Sequence, residues 1–485
     1  MELKKYIKQN NYKYYLIVAL IILVIFPYIL RYLNQGSLIV PGDKSYDHIS
    51  LAEATGDLPF FQTTIDDSLI YPSRAKIITP YHKILNFLSI FAPINAVVIL
   101  LSLLLGMLSI VLFNAILEIF KLSYFQRFVI TMSLVLSPLF LNTFLIPEQT
   151  FFIIFIQLFA FYIYIRKDRY RYLSAIPYLL LSFFSIFHTL IALLFIFVYE
   201  QKTDKNYRFF ITLATLMLAI TSYINIPIYF VYGFLKIQLP RVNLFQYYFT
   251  DLGSSAGFGI FTIILFVFGT IKTWKDKYNK NYVLIYLLLC AFLALSYLYP
   301  LYLPYLNFIM MIFSGFGFLY LFEMKWELKI IKNFTILIII LGLLFSGISY
   351  SKRVSTMTPT TELIESLKLI NEQYPNATIL TDPSYGHIIK YYAKANVLID
   401  SSPNFIEDYD YYLNSLEYIF QSRSLKETTA FLDRYNINMI LITKEMKNGL
   451  IWTRDNQGLL FLLENSPKFK ILHYNPEVEI WGYNP

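Results

Sequence analysis

The segment 34–93 holds the residues whose types and spacing are best suited to chemistry. Asp43 and Asp47 are four residues apart, and His48 follows directly. If a helix begins near Ser45, both carboxylates lie at its amino-terminal end, where backbone N–H groups favour negative charge. Such a pair can hold a hard divalent cation, or one member can act as a general base. The alternative is that Asp43 caps the helix and the other charges are solvated.

The composition indicates a polytopic membrane protein. Of the 485 residues, 57% are hydrophobic and 15% are charged, whereas a soluble chain averages roughly 45–50% apolar and about 25% charged residues. With 44 Phe and 42 Tyr, the chain is neither disordered nor collagen-like. The single cysteine, Cys290, excludes a disulfide framework and a cysteine-based metal cluster.

The apolar runs predict about eleven membrane spans, because a bilayer core of roughly 30 Å requires about 20 apolar residues as a helix. The run 281–322 must fold back once, near the prolines of 299–304. We expect 172–199 to form a hairpin of two short helices that turns near His188. The candidate runs are 14–33, 94–118, 127–145, 150–165, 172–199, 209–232, 256–271, 281–322 and 333–350.

Basic residues predict the orientation of the chain, because cytoplasmic loops carry an excess of Lys and Arg. Lys4, Lys5, Lys8 and Lys13 place the amino terminus in the cytoplasm. The segment 34–93 and everything from residue 351 onwards are then expected outside it, in the plasma membrane of a prokaryote. The net charge of +8 comes mainly from short cytoplasmic loops, so nucleic-acid binding is not expected.

Three further polar residues fall on the same predicted outer face. Glu148 lies in NTFLIPEQT, Asp251 in FTDLGSSAGFG and His188 in SIFHTL. Each has an ordinary explanation alone, since the acids can cap the following helices and the histidine can be an interfacial residue. Together with Asp43 they predict a shared site, because acids near membrane-embedded helix ends are costly and usually functional.

From about residue 351 the pattern changes to that of a small α/β domain. Charges become frequent, and strand-like runs alternate with helix-like ones. Ser424 and Glu427 have the spacing of a capping box. We therefore divide the chain into a transmembrane domain (1–350) and an extracytoplasmic α/β domain (351–485). The predicted strands are 377–382, 396–400 and 437–443, the predicted helices 387–395, 407–420 and 424–436, and FKILHY with VEIWGY a terminal hairpin.

Several segments, in this order, resemble the GT-C superfamily of membrane glycosyltransferases. PGDKSYDHISLAEA is similar to the first outer loop of that family, and TDLGSSAGFGIFTIILFVFGTI to a later span that opens with an acid and glycines. DPSYGHIIKYYAKANVLID resembles the head of the soluble domain. The likeness is closest to archaeal relatives of oligosaccharyltransferase catalytic subunits, and it covers nearly the whole chain.

The resemblance implies a polyprenyl or dolichyl phosphate or diphosphate sugar donor, and a protein, glycan or lipid acceptor. It also implies a divalent metal, Mg or Mn. Asp43 becomes a metal ligand or the base that activates the acceptor, with Asp47 and His48 as further catalytic candidates. Glu148 and Asp251 become further metal or acceptor contacts.

The sequence departs from the family pattern at three places. The second loop offers one acid, Glu148, in place of a DxD or DxE pair, so the alternatives are a weak metal site or a metal-independent reaction with Asp43 as base. Tyr385, Gly386 and His387 occupy the place of the acceptor motif WWDYG, which is absent, so protein N-glycosylation in particular is in doubt. No basic residue lies in the late span PYLNFIMMIFSGFGFL, where relatives often carry an arginine for the donor phosphate. Candidate phosphate contacts are therefore Arg241, Lys236, Arg74 and Lys83, and candidate acceptor or lipid contacts are His188, Tyr385 and His387.

Two other functions compete with sugar transfer. A transporter or flippase of lipid-linked sugars would usually place charges near the bilayer midplane, whereas these spans are nearly free of charge. A non-catalytic scaffold with an outer binding domain would need only residues 351–485.

Overall fold

The computed structural model describes residues 17, 25–55, 63–66, 68–69, 74–166, 169–203, 207–232, 247–252, 256–274, 280–403, 406 and 408–484. Up to the predicted domain boundary at residue 350, the described elements are helices and one antiparallel hairpin. The hairpin pairs β1 (Thr63–Asp66) with β2 (Arg74–Ile77). The helices of this part are α1 (Phe26–Gln35), α2 (Asp43–Ala54), α3 (Pro80–Ser89), α4 (Ile94–Ile119), α5 (Tyr124–Val135), α6 (Pro138–Leu145), α7 (Gln149–Ile165), α8 (Ala175–Leu181), α9 (Ile186–Thr203), α10 (Tyr207–Tyr232), α11 (Ile260–Trp274), α12 (Lys280–Leu298), α13 (Leu303–Glu323) and α14 (Lys329–Ser355).

Strands and helices alternate in the remainder of the chain. Its elements are α15 (Thr361–Gln373), β3 (Thr378–Leu380), α16 (Gly386–Tyr392), β4 (Asn396–Val397), α17 (Tyr409–Gln421), α18 (Leu425–Arg434), β5 (Met439–Thr443), α19 (Leu459–Asn465), β6 (Phe469–Tyr474) and β7 (Val478–Tyr483). Tight 3-10 turns cover Arg169–Ser174, Thr250–Leu252, Pro300–Tyr302 and Pro383–Tyr385.

The chain separates into two compact units, which we call the helical unit and the mixed unit. The helical unit comprises Met1–Asn34, Ala96–Pro227 and Ile237–Thr356, and the mixed unit comprises Gln35–Asn95, Ile228–Lys236 and Met357–Pro485. The segment 34–93, which we grouped with the transmembrane domain, thus lies almost entirely in the mixed unit. Backbone and side-chain hydrogen bonds hold it there, from Gly42 N–H to the Thr358 carbonyl and between Gln35 and Thr361.

Long apolar helices dominate the helical unit and indicate an integral membrane protein. Four described helices are long and apolar enough to cross a membrane, and a bent pair raises the number to five. Shorter apolar helices occupy other predicted runs, and most of the run 14–33 lies outside the described residues. The figure of about eleven spans therefore stays a prediction. The four long helices are Ile94–Ile119, Arg208–Phe230, Pro300–Glu323 and Lys329–Ser355.

Prolines and small polar residues place the breaks between helices. The run 281–322 breaks at Pro300–Tyr302, within the predicted turn. The run 172–199 breaks between α8 and α9, just before the predicted position at His188. The run 127–145, predicted as a single span, is bent by 61° between α5 and α6. Pro138 causes this bend, because it has no N–H to continue the hydrogen bonds of α5.

Two glycines allow α11 and α13 to pack with their backbones in contact. A Cβ atom at Gly269 would overlap the Phe313 carbonyl oxygen, and one at Gly317 would overlap the Leu265 carbonyl oxygen. The Ser314 hydroxyl also donates to the Thr262 carbonyl at 2.9 Å. Small residues and interhelical hydrogen bonds are what hold helices together where water is absent.

The mixed unit is built on a five-stranded sheet with the order β4-β3-β5-β7-β6. Strands β4, β3 and β5 run parallel, and β7 pairs antiparallel with both β5 and β6. All five residues of β5 are buried, as expected for a central strand with an unbroken apolar sequence. Each predicted strand is present, although β3 and β4 are shorter than the predicted runs 377–382 and 396–400.

The mixed unit differs from the local predictions in one capping box and in three unpredicted elements. The Ser424 side chain accepts from the Glu427 N–H, as a capping box requires, but the Glu427 carboxylate accepts instead from Tyr418 and Ser422. Only half of the predicted capping box therefore forms. Helices α15 and α19 and the β1–β2 hairpin were not predicted.

The close packing of α11 on α13 leads to a stability prediction. We expect Gly317→Val to lower the thermal stability of the detergent-purified protein, because the added side chain must push the two backbones apart. Overpacking of this kind typically costs about 1–3 kcal/mol. The control is Leu216→Val, which introduces the same side chain at an exposed position of α10. An equal melting temperature for both variants would contradict the prediction.

Candidate active site

Asp43 connects the first helix of the mixed unit to the start of α16. It is the first residue of α2, and Gly42 before it has a φ of 86°, which lets the chain turn into the helix. Asp43 Oδ1 accepts the Ile388 N–H at 2.9 Å, and Oδ2 accepts the Ser401 hydroxyl at 2.7 Å. Both carboxyl oxygens therefore have partners within this unit.

The environment of Asp43 strongly favours the neutral carboxyl group. Its pKa is raised from 3.8 to about 8, chiefly by burial and to a smaller extent by the nearby Asp400 carboxylate. The hydrogen bonds from Ser401 and Ile388 lower the pKa but do not overcome burial. Asp43 is therefore largely protonated at neutral pH, and becomes a carboxylate only as the pH approaches 8.

Asp47 and His387 belong to the same cluster as Asp43. Lys76 Nζ lies 2.7 Å from Asp47 Oδ1, so the charge of this acid is already paired. The buried His387 ring lies between two acids, with Nδ1 3.6 Å from Asp47 and Nε2 3.5 Å from Asp400. Asp400 is fully buried and forms an ion pair with Lys390 at 2.7 Å.

His48 is one half of a histidine pair whose protonation follows from its hydrogen bonds. The Thr79 N–H donates to His82 Nδ1 at 3.0 Å, so this nitrogen carries no proton. His82 Nε2 therefore holds the proton of the neutral ring and donates to His48 Nδ1 at 3.0 Å. Burial lowers the pKa of His82 well below its usual value, and the adjacent His48 lowers it further.

Tyr385 is enclosed rather than presented to a ligand. Its hydroxyl donates to Glu445 at 2.6 Å and accepts from Thr443 at 2.9 Å, and its ring is buried. Burial and the Glu445 carboxylate raise the pKa of this phenol. The next position, 386, requires glycine, because a Cβ atom there would lie 2.6 Å from the Asp400 Cβ. These residues hold α16 against Asp400.

The other predicted acids, Asp251 and Glu148, lie in the helical unit at helix starts. Asp251 Oδ2 accepts the Ile260 N–H at 2.8 Å, and Oδ1 accepts the Ser346 hydroxyl at 3.2 Å. Asp251 thus caps α11. Glu148 is the N-cap residue of α7, but its side chain does not make the capping hydrogen bond. Its charge is still favourably placed at a helix amino terminus.

Of the remaining predicted contact residues, some have described side chains and others do not. His188 is buried, with Nδ1 2.9 Å from the Tyr305 hydroxyl. Lys83 donates to the Thr55 carbonyl at 2.7 Å. The backbone of Arg74 lies on β2, but its side chain is not described, and Arg241 and Lys236 lie outside the described residues.

A divalent metal does not fit the described side chains as they stand. In the described part of the chain, no three His, Cys, Asp or Glu side chains are grouped so as to hold an ion. Both oxygens of Asp43 and both of Asp251 accept protein hydrogen bonds, and Asp47 is paired with Lys76. We therefore derive no step through a metal ion.

Sequence reasoning missed five residues around the cluster: Asp400, His82, Lys390, Lys76 and Ser401. Asp400 ends the predicted strand 396–400, and acids at the carboxyl ends of parallel strands are frequent site residues. The position of Asp400 at the end of a predicted strand could therefore have identified it. His82 gave no local signal, because its partner His48 lies 34 residues earlier.

No protein-family model matches the chain, and no curated protein matches it. Solved structures do match, over most of its length. The archaeal oligosaccharyltransferase AglB from Archaeoglobus fulgidus, in complex with an inhibitory peptide and a dolichol-phosphate, has a TM-score of 0.62 at 12% identity, covering 90% of this chain and 70% of AglB.

The chain has a GT-C-like fold.

Two further GT-C structures extend the comparison. ArnT from Cupriavidus metallidurans, bound to undecaprenyl phosphate, has a TM-score of 0.53 at 9% identity, covering 99% of this chain and 100% of ArnT. The arabinofuranosyltransferase AftD from mycobacteria has a TM-score of 0.56 at 12% identity, covering 97% of this chain and 41% of AftD. At these identities the likeness shows the GT-C-like fold alone, and the chemistry must be argued from the residues of the site.

The raised pKa of Asp43 leads to a prediction about stability and pH. The folded-state pKa of about 8 lies above the unfolded value of 3.8, so the folded state holds this proton more tightly. The contribution of Asp43 to folding free energy should therefore fall as the pH rises from about 4 to 8. We expect Asp43→Asn to weaken this dependence, because the amide does not ionise and its oxygen can still accept the Ile388 N–H.

The measurement is the melting temperature of both proteins at several pH values between 4 and 9. Their difference isolates Asp43 from the other titrating groups. Asp43→Ala serves as the comparison variant, since it leaves the Ile388 N–H without its acceptor, at a cost of about 1–3 kcal/mol. Parallel curves for the wild type and Asp43→Asn would show that the carboxyl does not titrate in this range.

Proposed function

We propose that the chain transfers a sugar or oligosaccharide from a polyprenyl or dolichyl phosphate or diphosphate to an acceptor at the outer membrane face. The observation that carries this proposal is the whole-chain likeness to GT-C glycosyltransferases. Two of these were solved with a lipid phosphate, dolichol-phosphate in AglB and undecaprenyl phosphate in ArnT. Because one fold hosts several chemistries, the residues of the mixed unit must support the reaction independently.

Asp43 is the proposed general base. The Ser401 hydroxyl donates to Asp43 Oδ2 at 2.7 Å, within the distance at which a base abstracts a hydroxyl proton. An acceptor hydroxyl that displaced Ser401 would make the same hydrogen bond. The raised pKa suits this role, since a carboxylate with a pKa near the working pH is a far stronger base than an ordinary one.

The proposed step is a substitution at the anomeric carbon of the sugar. The acceptor oxygen forms a bond to that carbon while its proton passes to the Asp43 carboxylate. The bond between the anomeric carbon and the phosphate oxygen breaks, and the lipid phosphate or diphosphate leaves with the electron pair. The neutral form of Asp43, which its surroundings stabilise, is thus the product of the proton transfer.

Asp47, His387 and Asp400 are proposed to position this base. Gly386 leaves no space between α16 and Asp400, so the Ile388 N–H is fixed relative to the acid cluster. Lys76 forms an ion pair with Asp47, and Lys390 forms one with Asp400. These ion pairs limit the repulsion that a negative charge on Asp43 would meet. His48 with His82 is a neighbouring proton-holding pair in the same unit.

The donor phosphate requires cations that the cluster does not leave free, since Lys76 and Lys390 both pair with acids. Arg74, Lys236 and Arg241 remain the proposed phosphate contacts. Positive charge there would stabilise the negative charge that develops on the departing phosphate. Glu148 and Asp251 remain proposed acceptor contacts, and His188 remains a proposed acceptor or lipid contact, in the helical unit.

The acceptor is proposed to differ from a glycosylation-sequon peptide. Tyr385 stands where the acceptor motif would lie, yet it is buried and bonded to Glu445 and Thr443. It presents no group to a peptide. A hydroxyl of a glycan or lipid is therefore the favoured acceptor.

The test of the base is the variant Asp43→Asn, which preserves the shape and one hydrogen bond of the carboxyl group. We expect transfer to fall by about 10²–10⁴-fold, the usual contribution of a general base. Membranes that contain the variant are supplied with lipid-linked sugar, and the product is counted as label transferred to acceptor. The control is Glu53→Gln, an exposed acid of α2 that contacts Tyr391.

The pH profile of transfer gives an independent check. Because the base must be ionised and its pKa is raised to about 8, wild-type activity should increase with pH up to that region. Activity in Asp43→Asn equal to wild type would remove Asp43 from the mechanism. Movement of labelled lipid-linked sugar across liposomes containing the protein, without transfer, would replace the proposal with transport.

A further inference from the structure

The helical unit contains a cavity of about 430 Å³ between α4, α7, α9, α12 and α13. Aromatic and aliphatic side chains form most of its wall, and no charged residue lines it within the described part of the chain. Several of the lining residues of α9 and α12 are half-buried, so the cavity opens at the surface of the unit. The principal lining residues are Phe113, Phe161, Phe195, Phe308, Ile312 and Phe316.

Four polar side chains also line this cavity, and three of them, Tyr199, Thr273 and Tyr305, hydrogen-bond within the protein. The fourth is Gln157. It lies on α7 and is 4% exposed, and neither its Oε1 nor its Nε2 has a hydrogen-bond partner among the described residues. An unpaired buried amide is costly, so this position is unfavourable unless something else bonds to it. A leucine at this position would pack in the same wall without that cost.

The cavity lies away from the helix starts that carry the acids of this unit. Asp251 caps α11 at Ile260, whereas Thr273, which lines the cavity, lies at the other end of that helix, roughly 20 Å along its axis. Gln157 is likewise more than two turns beyond Glu148 on α7. By the predicted orientation, the cavity is in the cytoplasmic half of the membrane.

The chemistry of the wall selects its occupant. An apolar cavity of this kind favours hydrocarbon over water, which needs two to four polar partners. The lack of cations in the described wall disfavours a phosphate. Gln157 requires a neutral group that can both donate to Oε1 and accept from Nε2, and a hydroxyl does both.

We propose that this cavity binds a neutral lipid alcohol, with its hydrocarbon chain along the aromatic wall and its hydroxyl on the Gln157 amide. The site goes beyond the proposed sugar transfer and does not depend on it. The ligand would enter sideways from the membrane, between α9 and α12.

Three photoreactive probes of equal chain length test this site: a long-chain alcohol, the matched alkane and the matched alkyl phosphate, each carrying a diazirine. The full chain in lipid nanodiscs is labelled with each, and labelled residues are mapped by mass spectrometry. We expect the alcohol to label the cavity wall about fivefold more than the alkane, the effect of one net hydrogen bond. The phosphate should label it least.

Two variants and a control make the test specific. Gln157→Leu should give equal labelling by alcohol and alkane, and Leu158→Trp, which fills the cavity, should reduce labelling by every probe. Val111→Trp is the control, since it adds the same ring at an exposed position of α4. Equal labelling by alcohol and alkane in the wild type would overturn the hydroxyl contact. Strongest labelling by the phosphate would overturn the neutral class, and labelling unaffected by Leu158→Trp would overturn the site.

Discussion

The enclosed carboxyl group of Asp43 is the interaction on which the mixed unit depends. It accepts the Ile388 N–H and the Ser401 hydroxyl, and so joins two segments that are 345 residues apart in sequence. A carboxyl group removed from water without partners is strongly unfavourable. The loop after α1 and the strand–helix region after α15 must therefore fold against each other. The same placement brings His387 between Asp47 and Asp400, so structural and candidate catalytic roles share one set of contacts.

This arrangement changes what a pair of acids four residues apart can do. Asp43 and Asp47 have different environments despite their spacing: burial holds Asp43 largely neutral, whereas Asp47 is paired with Lys76. A carboxyl group whose pKa is raised by its surroundings is suited to proton transfer, because it can exchange a proton near neutral pH. Two equally ionised groups would instead be suited to a metal. The different surroundings of the two acids support the acid–base role that we propose for Asp43.

Much of the local structure could be predicted from the sequence, but its long-range pairing could not. Unbroken apolar runs located the helices, the prolines of 299–304 located a turn, and alternating patterns located β3, β5 and the β6–β7 hairpin. The 61° bend before Pro138 was missed, because 127–145 is uniformly apolar and hydropathy does not register a missing N–H. The contact of Asp43 with Ser401, and that of His48 with His82, depend on how distant segments meet. Local periodicity carries no information about that meeting.

The glycine contact between α11 and α13 has a mechanical consequence. Backbones that touch at Gly269 and Gly317 have no side-chain layer in which to slide, so the two helices should move as one stiff piece. That piece forms one wall of the cavity, through Thr273 and residues from Tyr305 to Phe316. Any widening of the cavity must then come from its other walls, formed by α4, α7, α9 and α12. Asp251 caps the start of α11 in this stiff pair. This acid should therefore keep its position when the other walls of the cavity move to bind a ligand.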